Sequence, residues 1–361
     1  MALIVVPLIL ATLVGLIVLW PKGAPPHAQP SGPAVTQVRG TVVTATPPCA
    51  AQTPATPGGD CGTATVRVGG KTVDATIPSG TTAPQVHPGD KVVVAADPDA
   101  GTYAIIDHDR GTQLIWLLIA FAAAIIAVGR WQGLASLGGL ALSFAILLWF
   151  ILPAIERGQS PLPVAVVGAA AIMFGVLYLT HGVNVPTTIA ILGTLAALVL
   201  TGLLGLAVTG WMHLTGAGTE DSILLRTALP GIDLRGLLLA GIIIGTLGVL
   251  YDVTVAQTLT VAEIAAANPA APARLLYRRA SRIGRAHIGA AVNTIILAYA
   301  GASLPLLLLI VVSNPHPWDV LTNQAIATEI VRSVVGTIGL VAAVPVTTAL
   351  SAWISAFSHR H

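Results

Sequence analysis

The sequence predicts a membrane α-helical bundle of about eight transmembrane helices, with a small all-β domain, a barrel or a sandwich, between helices one and two. Of the 361 residues, 55% are hydrophobic and only 9% are charged, against roughly a quarter charged in an ordinary soluble domain. The apolar residues form runs of about 18 to 27, the length a helix needs to cross about 30 Å of hydrocarbon. The net charge of +2 is too small to indicate a nucleic-acid partner.

The first apolar run, residues 1–20, predicts a signal-anchor transmembrane helix. No convincing small-residue cleavage site follows it, so we expect the helix to be retained, with a cleaved signal peptide as the alternative. Residues 21–34 are rich in proline and predict an extended linker without a core of its own.

Residues 35–110 predict a β domain of about five or six short strands. The segments Thr63–Val68 and Lys71–Ile77 alternate in polarity around Gly69 and Gly70, a pair that signals a two-residue hairpin turn. Small barrels and sandwiches of this kind bind or position a partner more often than they catalyse.

The only two cysteines, Cys49 and Cys61, lie in a Pro/Gly-rich insertion of this domain. A disulfide between them closes a loop of about a dozen residues and contributes roughly 3 kcal/mol in an oxidising compartment. We therefore expect a Cys49–Cys61 disulfide and an extracytoplasmic β domain. Two free thiols in a flexible loop are the alternative.

Residues 111–361 predict seven further transmembrane helices, and eight spans place both termini on one side. Arginines are more numerous in the short loops that lie on the same side as the termini, so those loops and both termini are expected in the cytoplasm. The predicted location is the bacterial cell membrane. The seven runs are Leu114–Val128, Leu134–Leu152, Pro163–Leu179, Val185–Trp211, Leu237–Gln257, Ile288–Val312 and Thr328–Ile354.

A basic, lipid-facing loop is predicted on the cytoplasmic side between the sixth and seventh spans. It contains five arginines and could form an amphipathic interfacial helix that holds anionic lipid headgroups. The alternative is that the charges only anchor the topology of the two neighbouring spans. The arginines are Arg274, Arg278, Arg279, Arg282 and Arg285.

The residue Asp252 lies within a long apolar run, residues 241–257. Hydrocarbon offers a carboxylate no hydrogen bonds, so the acid needs a partner, a water-filled cavity or a proton. We predict an ion-binding or proton-binding seam between the sixth and seventh spans. A single hydrogen-bonded acid that fixes helix register is the alternative. The predicted ion-binding residues are Asp252, Asn293, Thr294 and Tyr299, and the supporting residues are Tyr251, Thr254, Gln257 and Ser303.

Enzyme chemistry is not indicated by any motif in the chain. The sequence has no nucleophile elbow, no Walker loop, no His-Glu-x-x-His and no paired-cysteine metal motif. We therefore predict neither catalytic residues nor a cofactor. An extracytoplasmic metal site is an alternative, because two predicted outer loops carry acids and histidines. Those residues are His213, Glu220, Asp221, His316 and Asp319.

Four segments resemble the YibE/F-like family of bacterial multi-pass membrane proteins. They are Val86–Val94, Tyr103–Asp107 with Arg110, Gly245–Asp252 and Asn293–Leu308. The resemblance covers the chain from about Val35 to the last span, and it implies a multi-pass membrane protein. The cysteine-bearing insertion and the linker are additions to the family pattern, so the resemblance implies no role for the disulfide.

A second resemblance concerns the polar part of the sixth span. Tyr251–Glu263, followed by an arginine-rich turn and a polar-faced span, is similar to the Asp-Thr helix of SecD/SecF-type proton-driven exporters. That similarity implies a proton-relay role for Asp252.

Together these observations predict a transporter or export-assisting factor, coupled to protons or Na⁺ through Asp252. The alternative is a non-transporting scaffold that docks an envelope partner through its β domain. Expected partners are membrane lipids, a proton or Na⁺, and an unknown transported substrate or envelope protein. A transporter should place a water-accessible cavity at Asp252, whereas a scaffold should enclose and pair that acid.

Overall fold

The computed structural model describes residues 2–23, 36–47, 49, 61–79, 83–97, 101–313 and 316–358. These residues belong to two compact units, one formed by Met1–His27 with Gly129–His361 and the other by Ala28–Val128. Most of the predicted linker, residues 21–34, lies outside the described ranges.

A closed five-stranded barrel forms the β domain, so the expected barrel or sandwich is a barrel. The strand order is β1-β2-β3-β5-β4, with β4 closing on β1. Of these neighbouring pairs, only β3 and β5 are parallel, and the other four are antiparallel. The strands are β1 (Thr36–Ala45), β2 (Thr63–Val68), β3 (Lys71–Thr76), β4 (Lys91–Asp97) and β5 (Thr102–His108).

The predicted hairpin and the predicted disulfide are both confirmed. Strands β2 and β3 pair up to Val68 and Lys71, and the two turn glycines have φ angles of 56° and 85°, a conformation that glycine adopts without strain. The disulfide joins Cys49 to Cys61 with Cα atoms 5.0 Å apart. Residues 50–60, which lie between the two cysteines, are outside the described part of the chain.

Helices make up the rest of the described chain. Their bounds are α1 (Ala2–Val18), α2 (Gly111–Ile146), α3 (Leu152–Glu156), α4 (Pro161–His181), α5 (Val185–Trp211), α6 (Glu220–Ala228), α7 (Leu234–Ala267), α8 (Ala273–Ala302), α9 (Leu304–Ser313), α10 (Pro317–Thr322) and α11 (Gln324–Ser358), with a π-helical turn (Leu147–Ile151) between α2 and α3. Helices α5, α7 and α11 pack against one another, while α4 packs on α7 and α8 packs on α7 and α11.

Close approach of the three central helices depends on glycines that face threonines. A Cβ atom at Gly336 of α11 would collide with Thr246 of α7, and one at Gly339 would collide with Thr201 of α5. Each threonine donates its hydroxyl hydrogen bond to its own helix, Thr246 to Ile242 and Thr201 to Ala197. The threonine methyl and hydroxyl can therefore lie against a glycine without leaving a buried hydroxyl unpaired.

Eight membrane spans were predicted, and the described residues contain fewer helices that qualify as candidate spans by length and composition. Five helices or helix runs are long and apolar enough to cross a membrane, or six if one bent pair is counted as a span. The apolar part of α1 (Leu3–Val18) is shorter than these spans. The two spans expected at Leu114–Val128 and Leu134–Leu152 lie in one helical run, Gly111–Glu156, which is interrupted at Arg130 by a φ of 50° and a ψ of −127°.

The predicted span Ile288–Val312 is bent rather than continuous. Helices α8 and α9 meet at an angle of 64°, and the Ser303 N–H donates to Tyr299 O at 3.0 Å where α8 ends. Pro305, the second residue of α9, has no N–H to donate and cannot continue the helix of α8 without a clash. The basic stretch also differs from a loop, because all five arginines lie within α8 itself, which begins after Pro272.

Candidate functional site

Asp252 lies on α7 with its side chain exposed. It forms no hydrogen bond or ion pair with any other described residue. Helix α7 begins at Leu234, where the Asp233 carboxylate caps it by accepting the Gly236 N–H at 2.8 Å. Eighteen residues along the helix from Leu234, Asp252 is about 27 Å from this cap.

The polar neighbours of Asp252 on α7 are used by the bundle instead. Thr254 Oγ1 is 2.6 Å from Thr194 Oγ1 of α5, and both threonines are fully buried. Tyr251 Oη is 3.2 Å from Thr180 Oγ1 of α4. Tyr251 and Thr254 therefore fix α7 against two helices, and Asp252 is left outside these contacts.

Gln257 fixes the same helix against α8. Its Nε2 donates to the Ala280 carbonyl at 3.0 Å, and the side chain is only 4% exposed. Further along the antiparallel pair, a Cβ atom on Gly245 would lie 2.9 Å from Tyr299 Oη. Asp252 lies between these two contacts along α7.

Asn293 and Thr294 of α8 are both exposed, and neither bonds to Asp252. Thr294 Oγ1 donates to Ala290 O of its own helix at 3.0 Å. The expected hydrogen-bonded seam is therefore not formed among the described side chains. The three residues instead lie on open surfaces of α7 and α8, and their role in ion binding stays a prediction.

Tyr299 and Ser303, the remaining predicted residues, line a separate cavity of about 300 Å³ with Glu329 and Ser333 of α11. Glu329 Oε1 accepts a hydrogen bond from Arg332 Nη1 at 2.7 Å. The Ser333 Oγ atom and the Arg332 Nε atom are buried without a partner. The structure therefore divides the predicted site into an Asp252 part and a Tyr299 part.

Glu329 is a polar residue of this second region that the sequence reasoning missed. A glutamate and an arginine at positions i and i+3 of an apolar run were the available signal, because such residues lie on one helix face.

An apolar cavity of about 250 Å³ lies on the opposite side of α7, against α2 and α4. Tyr251 and Gly248 of α7 line it together with Met173 of α4 and Phe144 of α2. The cavity reaches the residue next to Asp252 but lies away from α8. It is therefore different from the polar cavity expected between the helices that carry Asp252 and Asn293.

The five arginines of α8 are exposed, and two of them, Arg279 and Arg282, line a cavity with residues at the end of α7. Leu276 and Ala280, on the opposite face, are buried against Val261 and Ala265 of α7 and Ala352 of α11. The ion pairs of the described residues involve none of these arginines. The first turns of α8 thus present a positive surface that no described acid neutralises.

Charged groups of the β domain cluster around two acids. Asp90 Oδ2 accepts the His87 N–H at 2.8 Å and lies 3.5 Å from His108 Nε2. The backbone hydrogen bond, with a smaller contribution from the histidines, holds the pKa of Asp90 below its ordinary 3.8. Asp107 accepts a hydrogen bond from Arg110 Nη1 at 2.7 Å, which lowers the pKa of that carboxyl as well.

Among the described residues, no three or more histidines, cysteines, aspartates or glutamates lie close enough together to hold a metal ion.

Comparison with known proteins gives one match. The model of a family described as YibE/F-like protein matches residues 117–356, about two thirds of the chain. No curated protein and no solved structure matches. The likeness to SecD/SecF-type exporters gains no support from this match and stays a prediction. Because the matched region runs from α2 to the last turns of α11, the chain belongs to the YibE/F-like family.

Proposed function

We propose that this protein is a membrane transporter or export-assisting factor that couples to protons or Na⁺ through Asp252. The observation that supports the proposal is an exposed, unpaired carboxylate on an apolar 34-residue helix. A structural acid that sets helix register should be enclosed and bonded, as Gln257 is. Asp252 is instead free to exchange an ion or a proton.

The energetic argument is the cost of a charge without a partner. An aspartate at the centre of a spanning helix costs about 2.5 to 3.5 kcal/mol on insertion scales. Water or a ligand in contact with the aspartate offsets this free-energy cost. Asp252 meets this condition if the exposed surfaces of α7 and α8 line an aqueous path.

The topology that we propose is the predicted one, with eight spans in the bacterial cell membrane and both termini cytoplasmic. The interruption at Arg130 supports two spans within Gly111–Glu156. The Cys49–Cys61 disulfide supports an oxidising, extracytoplasmic location for the β barrel.

Anionic lipid headgroups are proposed as the partners of the exposed arginines on α8. Positive residues beside a cytoplasmic membrane surface each gain about 1 kcal/mol from acidic lipids. The buried opposite face, with Leu276 and Ala280, holds these turns against the bundle and keeps the charges outward.

Ion flux in reconstituted vesicles tests the proposed coupling. The full chain would be placed in vesicles with an imposed proton or Na⁺ gradient, and flux compared with that of Asp252→Asn. We expect Asp252→Asn to lose coupled flux. Glu263→Gln is the matched control, because Glu263 is also exposed on α7, about 16 Å further along. Equal flux through wild type and Asp252→Asn rules out coupling at this acid.

A second candidate function is a scaffold that docks an envelope partner through the β barrel. The barrel favours it, because the domain has its own buried core, including Val66, Val92 and Ile105, and its own disulfide. A scaffold requires the barrel for partner binding but does not require an ionisable residue at position 252. Retention of the cellular phenotype by Asp252→Asn, with its loss on deletion of residues 36–108, would favour the scaffold.

A further inference from the structure

The cavity at the start of α7 combines three nitrogen-bearing side chains from three helical segments. His213 follows the end of α5, Arg226 lies on α6, and Arg235 lies in the first turn of α7. All three line a cavity of about 670 Å³. This region is separate from Asp252, because Arg235 and Asp252 are about 25 Å apart along α7 at 1.5 Å per residue.

The positive charge of this cavity is only partly offset by the protein, because one carboxylate, that of Asp233, lines it with two guanidinium groups. The ion pairs of the described residues involve neither Arg226 nor Arg235. Asp233 is the acid among the lining residues, and its Oδ1 already accepts the Gly236 N–H at 2.8 Å. Two guanidinium groups therefore remain available to an anion from outside the chain.

The position of Arg235 is supported by a glycine on α5. A Cβ atom on Gly210 would lie 3.1 Å from Arg235 Nη2. Glycine at this position lets the guanidinium group lie against the last turn of α5, three residues before His213. The two side chains are thus brought to the same wall of the cavity.

His213 adopts a backbone conformation that normally favours glycine. Its φ is +51°, in the left-handed region, and its N–H donates to the Gly210 carbonyl at 3.3 Å just after α5 ends. Glycine is the usual residue at this position after a helix, because any side chain there is strained. His213 lines the cavity in spite of this strain, so its imidazole is a candidate ligand-binding group.

We propose that this cavity binds a phosphate group, held by Arg226, Arg235 and His213. Guanidinium groups bind phosphate through paired, charge-assisted hydrogen bonds, and an imidazole N–H adds a further donor. The phosphate can belong to a soluble molecule or to a lipid headgroup, since the three donors recognise the same oxygens in both. The proposal is independent of ion coupling at Asp252.

Titration of the purified full chain with inorganic phosphate, in detergent at constant ionic strength, tests the proposal. We expect saturable heat of binding in isothermal titration calorimetry, and a loss of about tenfold in affinity for each arginine replaced, in Arg226→Gln and Arg235→Gln. Arg67→Gln, which removes the same charge from an exposed position on β2 of the barrel, should bind as wild type does. Absence of saturable binding, or unchanged affinity in the double arginine variant, overturns the proposal.

His213→Gly separates binding from folding. We expect this variant to melt at a higher temperature, because glycine relieves the left-handed strain, and to bind phosphate more weakly. Phosphate affinity equal to that of wild type would overturn the role given to His213.

Competition between phosphatidic acid and soluble phosphate in lipid nanodiscs tells whether the bound phosphate belongs to a lipid headgroup or to a soluble molecule. Phosphatidic acid that displaces soluble phosphate in proportion to its content in the bilayer identifies a lipid headgroup as the occupant. Binding of soluble phosphate that is unaffected by phosphatidic acid identifies a soluble phosphorylated molecule. Either result supports a phosphate site, and each should be lost in the double arginine variant.

Discussion

Replacement of Gly284 by alanine is expected to destabilise the protein, although alanine favours helices. Gly284 is a buried residue of α8, where α7 and α11 meet that helix. An added Cβ atom would lie 2.7 Å from Gln257 Oε1 and 2.7 Å from Val344 Cγ1. Contacts this short require the side chains of Gln257 and Val344, or the helices that carry them, to move.

The magnitude follows from three contributions. Overpacking of a buried site costs about 1 to 3 kcal/mol. Displacement of Gln257 also weakens its hydrogen bond to the Ala280 carbonyl, worth about 1 kcal/mol. The higher helix propensity of alanine stabilises the folded protein by about 0.5 to 1 kcal/mol and offsets part of this loss. The net loss in the free energy of unfolding is therefore about 1 to 3 kcal/mol.

Gly289→Ala is the matched control on the same helix. Nothing lies within 4 Å of a Cβ atom at Gly289, so only the propensity gain of about 0.5 to 1 kcal/mol applies. Denaturant unfolding of both purified variants in detergent measures the two differences. A stabilised Gly284→Ala variant, or equal effects at both positions, would refute the packing of α8 against α7 described above.

Three further predictions concern other contacts. Thr194→Val and Thr254→Val should each lower the free energy of unfolding by about 1 kcal/mol. The double variant should lose less than the sum of the two, because the two hydroxyls contact each other. Additive losses in denaturant unfolding would contradict this. Ionised Asp90 should stabilise the barrel above pH 3.8, and this stabilisation should be lost as the pH falls through the lowered pKa of Asp90. Hydrogen exchange of the full chain should therefore show that the stability of the barrel depends less on acidic pH in Asp90→Asn than in wild type. Reduction of the Cys49–Cys61 disulfide should destabilise the barrel by roughly 3 kcal/mol, and unchanged exchange in β1 and β2 after reduction would contradict it.

The β domain shows what could be predicted from local sequence. Alternating polarity and the Gly69-Gly70 pair determine a hairpin through neighbouring residues alone, and that hairpin is present. The order in which five strands close, including the parallel pairing of Ala75 with Tyr103, depends on contacts distant in sequence. A sandwich and a barrel therefore remained equally consistent with the sequence.

The candidate site was predicted less well, because helix rotation is not specified by spacing alone. The acid and its polar neighbours on α7 were correctly identified as unusual within an apolar run. Tyr251 and Thr254 were predicted as supporting residues of the site, and they contact α4 and α5. Which face of α7 meets which helix depends on the packing of all the helices together. Tyr299 lines a cavity with residues of α11, and Asp252 does not line that cavity.

Access of water to position 252 tests the central claim most directly. Both native cysteines are in the disulfide, so Asp252→Cys introduces a single free thiol. Its rate of modification by a charged, water-soluble thiol reagent would be measured in proteoliposomes. Val253→Cys, at a side chain only 2% exposed, and Val199→Cys, at one 59% exposed on an apolar face of α5, are the controls. We predict that the thiol at position 252 is modified rapidly and that those at positions 253 and 199 are modified slowly. A modification rate at position 252 as low as that at position 199 would place Asp252 against lipid and contradict its role in ion coupling.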